Sequence, residues 1–384
     1  MVSCPQRPTA GFLLGLPFTE SLMKLKELRI RLSDIDQQLL QLIAERQSIV
    51  DEVGKFKRSE GRATRDFARE KDVIDGARAQ AQRLGLAPDL AEQLMTMLIT
   101  SSLTKQERAR VKAEGRGSGR RALVIGGAGK MGQWFVNFLD SQGYQVMVAD
   151  PIGSVDGVEW ISDWRQTSNE FALTVIAAPL SKTADILSQM AAKAWSGLVF
   201  DVGSLKSPLI PGLRELAASG CQVTSIHPMF GPDTELLSDK HVLFLDAGCA
   251  DATAAARQLF DATMALQTEM TLEGHDRLIA YVLGLSHALN IAFFSVLAES
   301  GEHVPRLAKI SSTTFDAQLD VATRVAEENP HLYFEIQSLN DFGMEPIESL
   351  QAAVEKIALL VRGDDEQGFV KLMESGRAYL EGRQ

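Results

Sequence analysis

The sequence predicts a multidomain chain: an all-α three-helix domain, then an α/β domain, then an all-α C-terminal domain. Three observations predict it. Apolar residues recur at three- and four-residue steps from Met23 to about Arg58, a glycine-rich turn at 126–132 lies between a short apolar run and a helical pattern, and strand patterns cease after residue 250. With 384 residues, 45% hydrophobic and 23% charged, the chain can fill two or three ordinary cores, which excludes the disordered, fibrous and membrane-spanning classes. A net charge of -11 argues against nucleic-acid or anionic-membrane partners, so a small anionic ligand must be met by local basic pockets.

Residues 1–21 contain only a short apolar run, Gly11 to Phe18, without a clear cleavage site. They are expected to form a disordered leader, or to precede a true start at Met23. Cys4, Cys221 and Cys249 are widely spaced with no C-x-x-C pair, which predicts reduced thiols, a cytoplasmic protein and no metal. The first helix presents Leu25, Leu28, Leu32, Ile35, Leu39, Leu42, Ile43, Ile49, Val53 and Phe56 as one amphipathic series. Thr64 and Asp66 can cap a second helix through about Arg83, and Pro88 with Asp89 opens a third that passes Gln106; together these make a helical domain over 22–114.

Helix geometry constrains the basic residues. Arg29 and Arg46 are seventeen residues apart, about 26 Å along the axis, and cannot grip one small ligand from the same straight helix. Arg46 and Lys57 are eleven apart, nearly on one stripe and about 16 Å apart at the backbone, so their side chains can clamp a metabolite-sized anion. If Arg29 shares that site, it comes from a second subunit of an intertwined dimer.

Residues 28–57 (LRIRLSDIDQQLLQLIAERQSIVDEVGKFK), 65–70 (RDFARE), Ser102 and Gln106 resemble, motif by motif, the all-helical chorismate mutases. The resemblance implies conversion of chorismate to prephenate, a pericyclic rearrangement in which catalysis is positioning and electrostatics. It also implies that Arg29 of a partner and Arg46 hold the two carboxylates, with Arg69 and Ser102 completing that pocket. Lys57 and Gln106 would bond the ether oxygen, and Glu70 and the Asp66 region the hydroxyl, although a plain helix cap accounts for Asp66 equally well.

Residues 107–121 lose their apolar periodicity and contain Gly115, Gly117, Ser118 and Gly119, the composition of a flexible connector with a boundary near 115. An α/β domain is expected over 115–250. Strand 122–125 runs into Gly127, Gly129, Lys130, Met131 and Gly132, then helix 134–141, strand 145–149 and Asp150, the order of a Rossmann dinucleotide site. Gly127 is assigned the tight turn, Gly129 the approach of the pyrophosphate and Gly132 helix-strand packing, while Asp150 would bond the ribose and select NAD over NADP. Apolar runs at 173–177, 198–201, 223–226 and 242–245 continue the sheet. The loops that follow strands, with Pro179, with Ser204 and Lys206, and with His227, should line the cofactor crevice.

His227, set between rigid proline and glycine positions at a strand end, is a candidate base near pH 7. HPMFGP at 227–232, DVGSLK at 201–206 and the glycine fingerprint resemble the prephenate dehydrogenase family, including arogenate-using relatives, over about 120–345. The resemblance implies that prephenate loses hydride to NAD and loses CO2, giving 4-hydroxyphenylpyruvate. His227 would take the C4 hydroxyl proton, Ser204 would assist, His287 would lie in the pocket and Arg324 would hold a carboxylate. Lys206 adds charge nearby or is simply solvated.

A helical domain is expected over 251–384, with segments 275–300 and 306–327 burying one face against a second subunit. His275 and His287, twelve residues apart, fall about 120° around a regular helix and cannot share one role; His287 is assigned to the pocket and His275 with Asp276 to a structural bond. Some relatives carry an arginine at the position of Asp316, which leaves substrate choice open.

The two resemblances in series imply a homodimeric enzyme catalysing two consecutive steps toward tyrosine. Alternatives are a paralogue acting on arogenate or amino-substituted analogues, and a dehydrogenase whose helical segment is a regulatory module without catalysis.

Overall fold

The computed structural model describes residues 16–168 and 170–382. Two units divide after Glu107, seven residues before the expected boundary at 114, because Val111 already packs into the second unit's core.

The first unit consists of α1 (Leu16–Ser59), α2 (Phe67–Arg83) and the start of α3 (Pro88–Ala113). The described part of α1 begins at Leu16, ahead of the Met23 start expected from periodicity. The rest of the expected leader lies outside the described residues. Asp66 caps α2 by accepting from the backbone N–H of Arg69 at 3.0 Å, so the helix-cap reading of Asp66 holds. Leu28, Leu32, Ile35, Leu39, Leu42 and Phe56, the stripe that periodicity marks for burial, all stay exposed on α1. An apolar face of that length left in water is the signature of an interaction surface.

The second unit is built on one eight-stranded sheet in the order β3-β2-β1-β4-β5-β6-β7-β8. In chain order these are β1 (Arg121–Ile125), β2 (Gln145–Ala149), β3 (Glu159–Ile161), β4 (Leu173–Ile176), β5 (Leu198–Asp201), β6 (Gln222–Pro228), β7 (His241–Asp246) and β8 (Leu266–Thr271). Every pairing is parallel except β6 with β7. Alternate residues of β1 enter two separate cores: Leu123 and Ile125 pack with α5 (Leu180–Ala192) and α6 (Ile210–Ala218), while Ala122 and Val124 pack with α4 (Lys130–Ser141) and α7 (Ala250–Gln258). A sheet covered on both faces explains why its central strands read as unbroken apolar runs.

Two expectations fail here. Strand structure does not end at residue 250: β8 reads LQTEMT, half exposed at the sheet edge, and so lacks the apolar run that marks inner strands. Nor are residues 107–121 a flexible connector, since α3 runs on to Ala113 and the backbone N–H groups of Gly117 and Gly119 donate to the carbonyls of Gln142 and Gly143, each at 2.9 Å.

After β8 the chain is helical: α8 (Leu272–Ile279), a π-helical stretch Ala280–Leu285, α9 (Ser286–Glu299), α10 (Val304–Ala308), α11 (Thr313–Glu327), α12 (Pro330–Ser338), α13 (Met344–Arg362) and α14 (Glu366–Glu381). The stretch Leu272–Glu299 is long and apolar enough to cross a membrane by length and composition, yet it buries His275, Asp276, His287 and Asn290 against protein. Val354, Ile357, Val361, Met373 and Leu380 leave a second exposed apolar face on α13 and α14.

Candidate functional site

In the second unit a crevice forms at the carboxyl ends of β1 and β4, from which the chain winds in opposite directions. The turn after β1 is made at Gly126, not at Gly127 as expected. Gly126 has φ +80°, and a Cβ there would fall 2.6 Å from the carbonyl of Ala177, while Gly127 packs against Val148. At Gly132 a Cβ would meet the Gly126 carbonyl at 2.1 Å, so only glycine lets α4 lie this close to the loop.

Gly129 precedes α4, and Lys130 and Met131 open its first turn, so unpaired N–H groups and the helix dipole face the crevice. Asp150 follows β2; its carboxylate accepts from the backbone N–H of Ala128 at 3.1 Å and of Ile152 at 2.9 Å, which holds it at the rim of the glycine loop. Pro179 begins α5 on the neighbouring strand's loop. Backbone donors, a glycine cradle and an anchored acid at the end of the second strand fit a dinucleotide.

The polar centre of this unit lies below the loop after β5. Lys206 is fully buried and donates from Nζ to Asp201 Oδ1 at 2.7 Å, to the Gly203 carbonyl at 2.7 Å and to the Ile226 carbonyl at 2.9 Å. Burial pushes its ammonium below the ordinary lysine value, with Asp201 opposing. Lys206 is therefore neither solvated nor a substrate contact; it ties the Ser204 loop to the strand that carries His227. Ser225 donates to the other Asp201 oxygen at 2.5 Å. Replacing Lys206 with Met leaves Asp201 buried without its partner, and we expect a loss of about 3–5 kcal/mol, read as a clear fall in the melting temperature of the dehydrogenase transition. An unchanged melting temperature would refute that accounting.

His227 lies next to the end of β6, almost fully buried, and its Nδ1 lies 2.9 Å from Nε2 of His275. His275 Nδ1 in turn lies 2.6 Å from Asp276 Oδ1, and the Asp276 carboxylate also accepts from the backbone N–H groups of Lys206 (2.8 Å) and Ser207 (2.6 Å). The expected structural bond between His275 and Asp276 is present, but it continues into the candidate base. Burial would raise the Asp276 carboxyl, yet the bonds from His275, Ser207 and Lys206 outweigh that and hold it below the ordinary range. Burial first, then His275 and Lys206, lower His227 well below the ordinary histidine value, which keeps it neutral.

Ser204 is half-buried in the same loop. His287, on α9, has a buried Nδ1 with no hydrogen-bond partner, lies edge-on to Tyr333 with centroids 4.0 Å apart, and is pushed down to about 4 by burial. The π-helical stretch between His275 and His287 advances by wider turns, so the 120° separation expected of a regular helix does not apply. Arg324 is exposed on α11, and Asp316 bonds the Ser311 hydroxyl in that helix's first turn, an ordinary place for an acid.

In the first unit, Arg46 Nη1 donates to Ser102 Oγ at 2.8 Å and to the Leu98 carbonyl at 3.2 Å, which joins α1 to α3. Lys57 Nζ donates to the Thr64 carbonyl at 2.7 Å. Gln106 is buried beside Gly54, and its Oε1 has no hydrogen-bond partner. Glu70 is held by Arg65 at 3.1 Å, a partner that the sequence pattern did not single out. Arg29 and Arg69 are exposed, and Arg29 is not brought to Arg46 within one chain. Sequence reasoning gave no role to Asp201 and did not foresee that the His275–Asp276 bond continues to His227; the one legible signal was an acid ending the apolar run Leu198–Asp201.

Residues 28–107 match the family described as chorismate mutase type II, 142–261 the prephenate dehydrogenase nucleotide-binding domain and 271–375 the prephenate dehydrogenase dimerization domain. A T-protein from Enterobacter agglomerans is 27% identical over 90% of this chain and 90% of its own length. A 4-amino-4-deoxyprephenate dehydrogenase from Streptomyces pristinaespiralis is 28% identical over 68% of this chain and 91% of its own. The crystal structure of a prephenate dehydrogenase from A. aeolicus with hydroxyphenyl propionate and NAD+ superposes with TM-score 0.52 at 20% identity, covering 68% of this chain and 98% of that one.

Proposed function

The chain belongs to the family of bifunctional chorismate mutase/prephenate dehydrogenases, and from that premise we propose which of its residues carry the two reactions. It rearranges chorismate to prephenate and converts prephenate, with NAD, to 4-hydroxyphenylpyruvate and CO2 in tyrosine biosynthesis. The observation that carries this reading is the succession of all three family matches along one chain.

In the mutase unit, Arg46 and a partner's Arg29 hold the carboxylates, with Ser102 orienting Arg46 and Arg69 at the pocket edge. Lys57 and Gln106 meet the ether oxygen as charge grows there, and Glu70, fixed by Arg65, meets the hydroxyl. Asp66 serves by starting α2, so its effect on substrate is indirect.

In the dehydrogenase unit, Gly127, Gly129, Lys130, Met131, Gly132, Asp150 and Pro179 hold the dinucleotide, which accepts a hydride when bound. His227 takes the proton of the C4 hydroxyl, and that proton returns to the phenolate oxygen once CO2 has left. Ser204 bonds the same hydroxyl, while His287 and Arg324 hold the rest of the substrate. The exposed apolar faces of α1 and of α13–α14 support a homodimer, and the unpaired thiols Cys221 and Cys249 support a cytoplasmic setting.

Purified protein should turn over chorismate, and prephenate with NAD, faster than arogenate or 4-amino-4-deoxyprephenate and faster than with NADP, read by NADH absorbance. Negligible turnover of prephenate beside rapid turnover of the amino analogue would give the specialised-paralogue reading the advantage.

A further inference from the structure

Beyond the base itself, the polar chain behind His227 has a direction. The Asp276 carboxylate accepts three backbone and ring bonds and has no proton to give, so His275 must carry its proton on Nδ1, facing Asp276 at 2.6 Å. His275 is itself held below the ordinary histidine value by burial, against the pull of Asp276, and is therefore neutral. Its Nε2 then holds only a lone pair, and the His227 nitrogen 2.9 Å away must donate to it. We propose that His275, locked by Asp276, is a positioning residue for dehydrogenation: it fixes His227 with its proton on Nδ1 and its lone pair on Nε2, the nitrogen on the far side of the ring.

Two further observations fit this role. The same Asp276 carboxylate clamps the backbone of Lys206 and Ser207, so one acid sets both the base and the loop that bears Ser204. Its own carbonyl accepts from Asn340 Nδ2 at 3.0 Å, which fixes α8 from the C-terminal side. The charged and titratable groups around His227 are Lys206, Asp201, Asp276 and His275; Lys206, although paired with Asp201, still acts to lower His227, and the Asp276 charge, reached through His275, is what would favour the imidazolium formed during turnover. The proton that leaves the C4 hydroxyl goes to Nε2, the Nδ1 proton stays shared with His275, and the first is returned to the phenolate, so the step balances without another donor.

The inference rests on the reading of His227 as the base, and one readout is independent of that reading. Nitrogen-15 NMR of the full-length protein should show the His227 proton on Nδ1. In Asp276→Asn the amide can donate to His275, invert both tautomers and move that proton to Nε2. With prephenate as substrate, His275→Gln should lower kcat about tenfold or more and Asp276→Asn further, with the KM values for prephenate and NAD and the NAD Kd within about twofold. The acid limb of the Asp276→Asn profile should move to lower pH, because the charge that favours the imidazolium is gone. A wild-type His227 proton on Nε2, a His275→Gln enzyme with unchanged kcat and pH profile, or a loss confined to NAD affinity would each overturn the proposal. Wild-type protein without prephenate turnover but with the Nδ1 proton in place would overturn the assigned reaction and leave the lock intact.

Discussion

His227→Asn is expected to lower the kcat of prephenate oxidation by about 10²–10⁴-fold, the range for removal of a positioned general base, while chorismate rearrangement by the same protein stays within about twofold. The selectivity follows from the division of the chain: His227 lies near the end of β6 in the second unit, and no proton transfer enters the pericyclic step. Asparagine keeps a donor near the His275 nitrogen and avoids an empty buried polar site, so the fold should survive. Because burial, His275 and Lys206 hold His227 well below 6.5, the base is already unprotonated at neutral pH. Activity should therefore be flat through pH 7 and fall only on the acid side, below that ordinary value. Parallel assays of NADH formation and chorismate consumption test both points, and equal losses in the two activities would show that the variant unfolds instead.

Lys57→Ala is expected to do the reverse, reducing mutase kcat by about 10²–10³-fold and leaving prephenate oxidation unchanged. Lys57 already faces an oxygen acceptor, the Thr64 carbonyl at 2.7 Å, so its ammonium is aimed and partly desolvated before substrate arrives. A donor of that kind acts most strongly where negative charge develops, at the ether oxygen, so the loss should fall on kcat more than on KM. Arg46→Ala, by contrast, removes a carboxylate partner and should raise KM. A Lys57→Ala enzyme with full kcat would move the ether-oxygen role to Gln106 alone.

Much of this molecule is legible along the chain because its signals are local. The three N-terminal helices, the glycine fingerprint with Asp150, and six of the strands each announce themselves by period, cap or turn within a few residues. The elements that escaped notice have a common cause. Edge strands β3 and β8 bury little, so they carry no apolar run, and the residues at 107–121 read as a linker because glycines that permit close backbone packing look like glycines that permit flexibility. Spacing alone points to Gly127 and does not say that Gly126 is the glycine that takes φ +80°.

Sequence by itself determined the order of the domains and the two chemistries and singled out His227 as the candidate base, since each rests on residues close together in the chain. Only the tertiary structure decided what stands behind that base. His227 meets His275 across 48 positions, and Lys206 meets Asp276 across 70. No period or motif spans such a gap; the pairings exist because α8 docks beside the ends of β5 and β6, where buried polar groups must find one another or remain unpaired. The same need makes Lys206, which the sequence leaves open as a nearby or a solvated charge, a buried tie, and carries the His275–Asp276 bond on to His227.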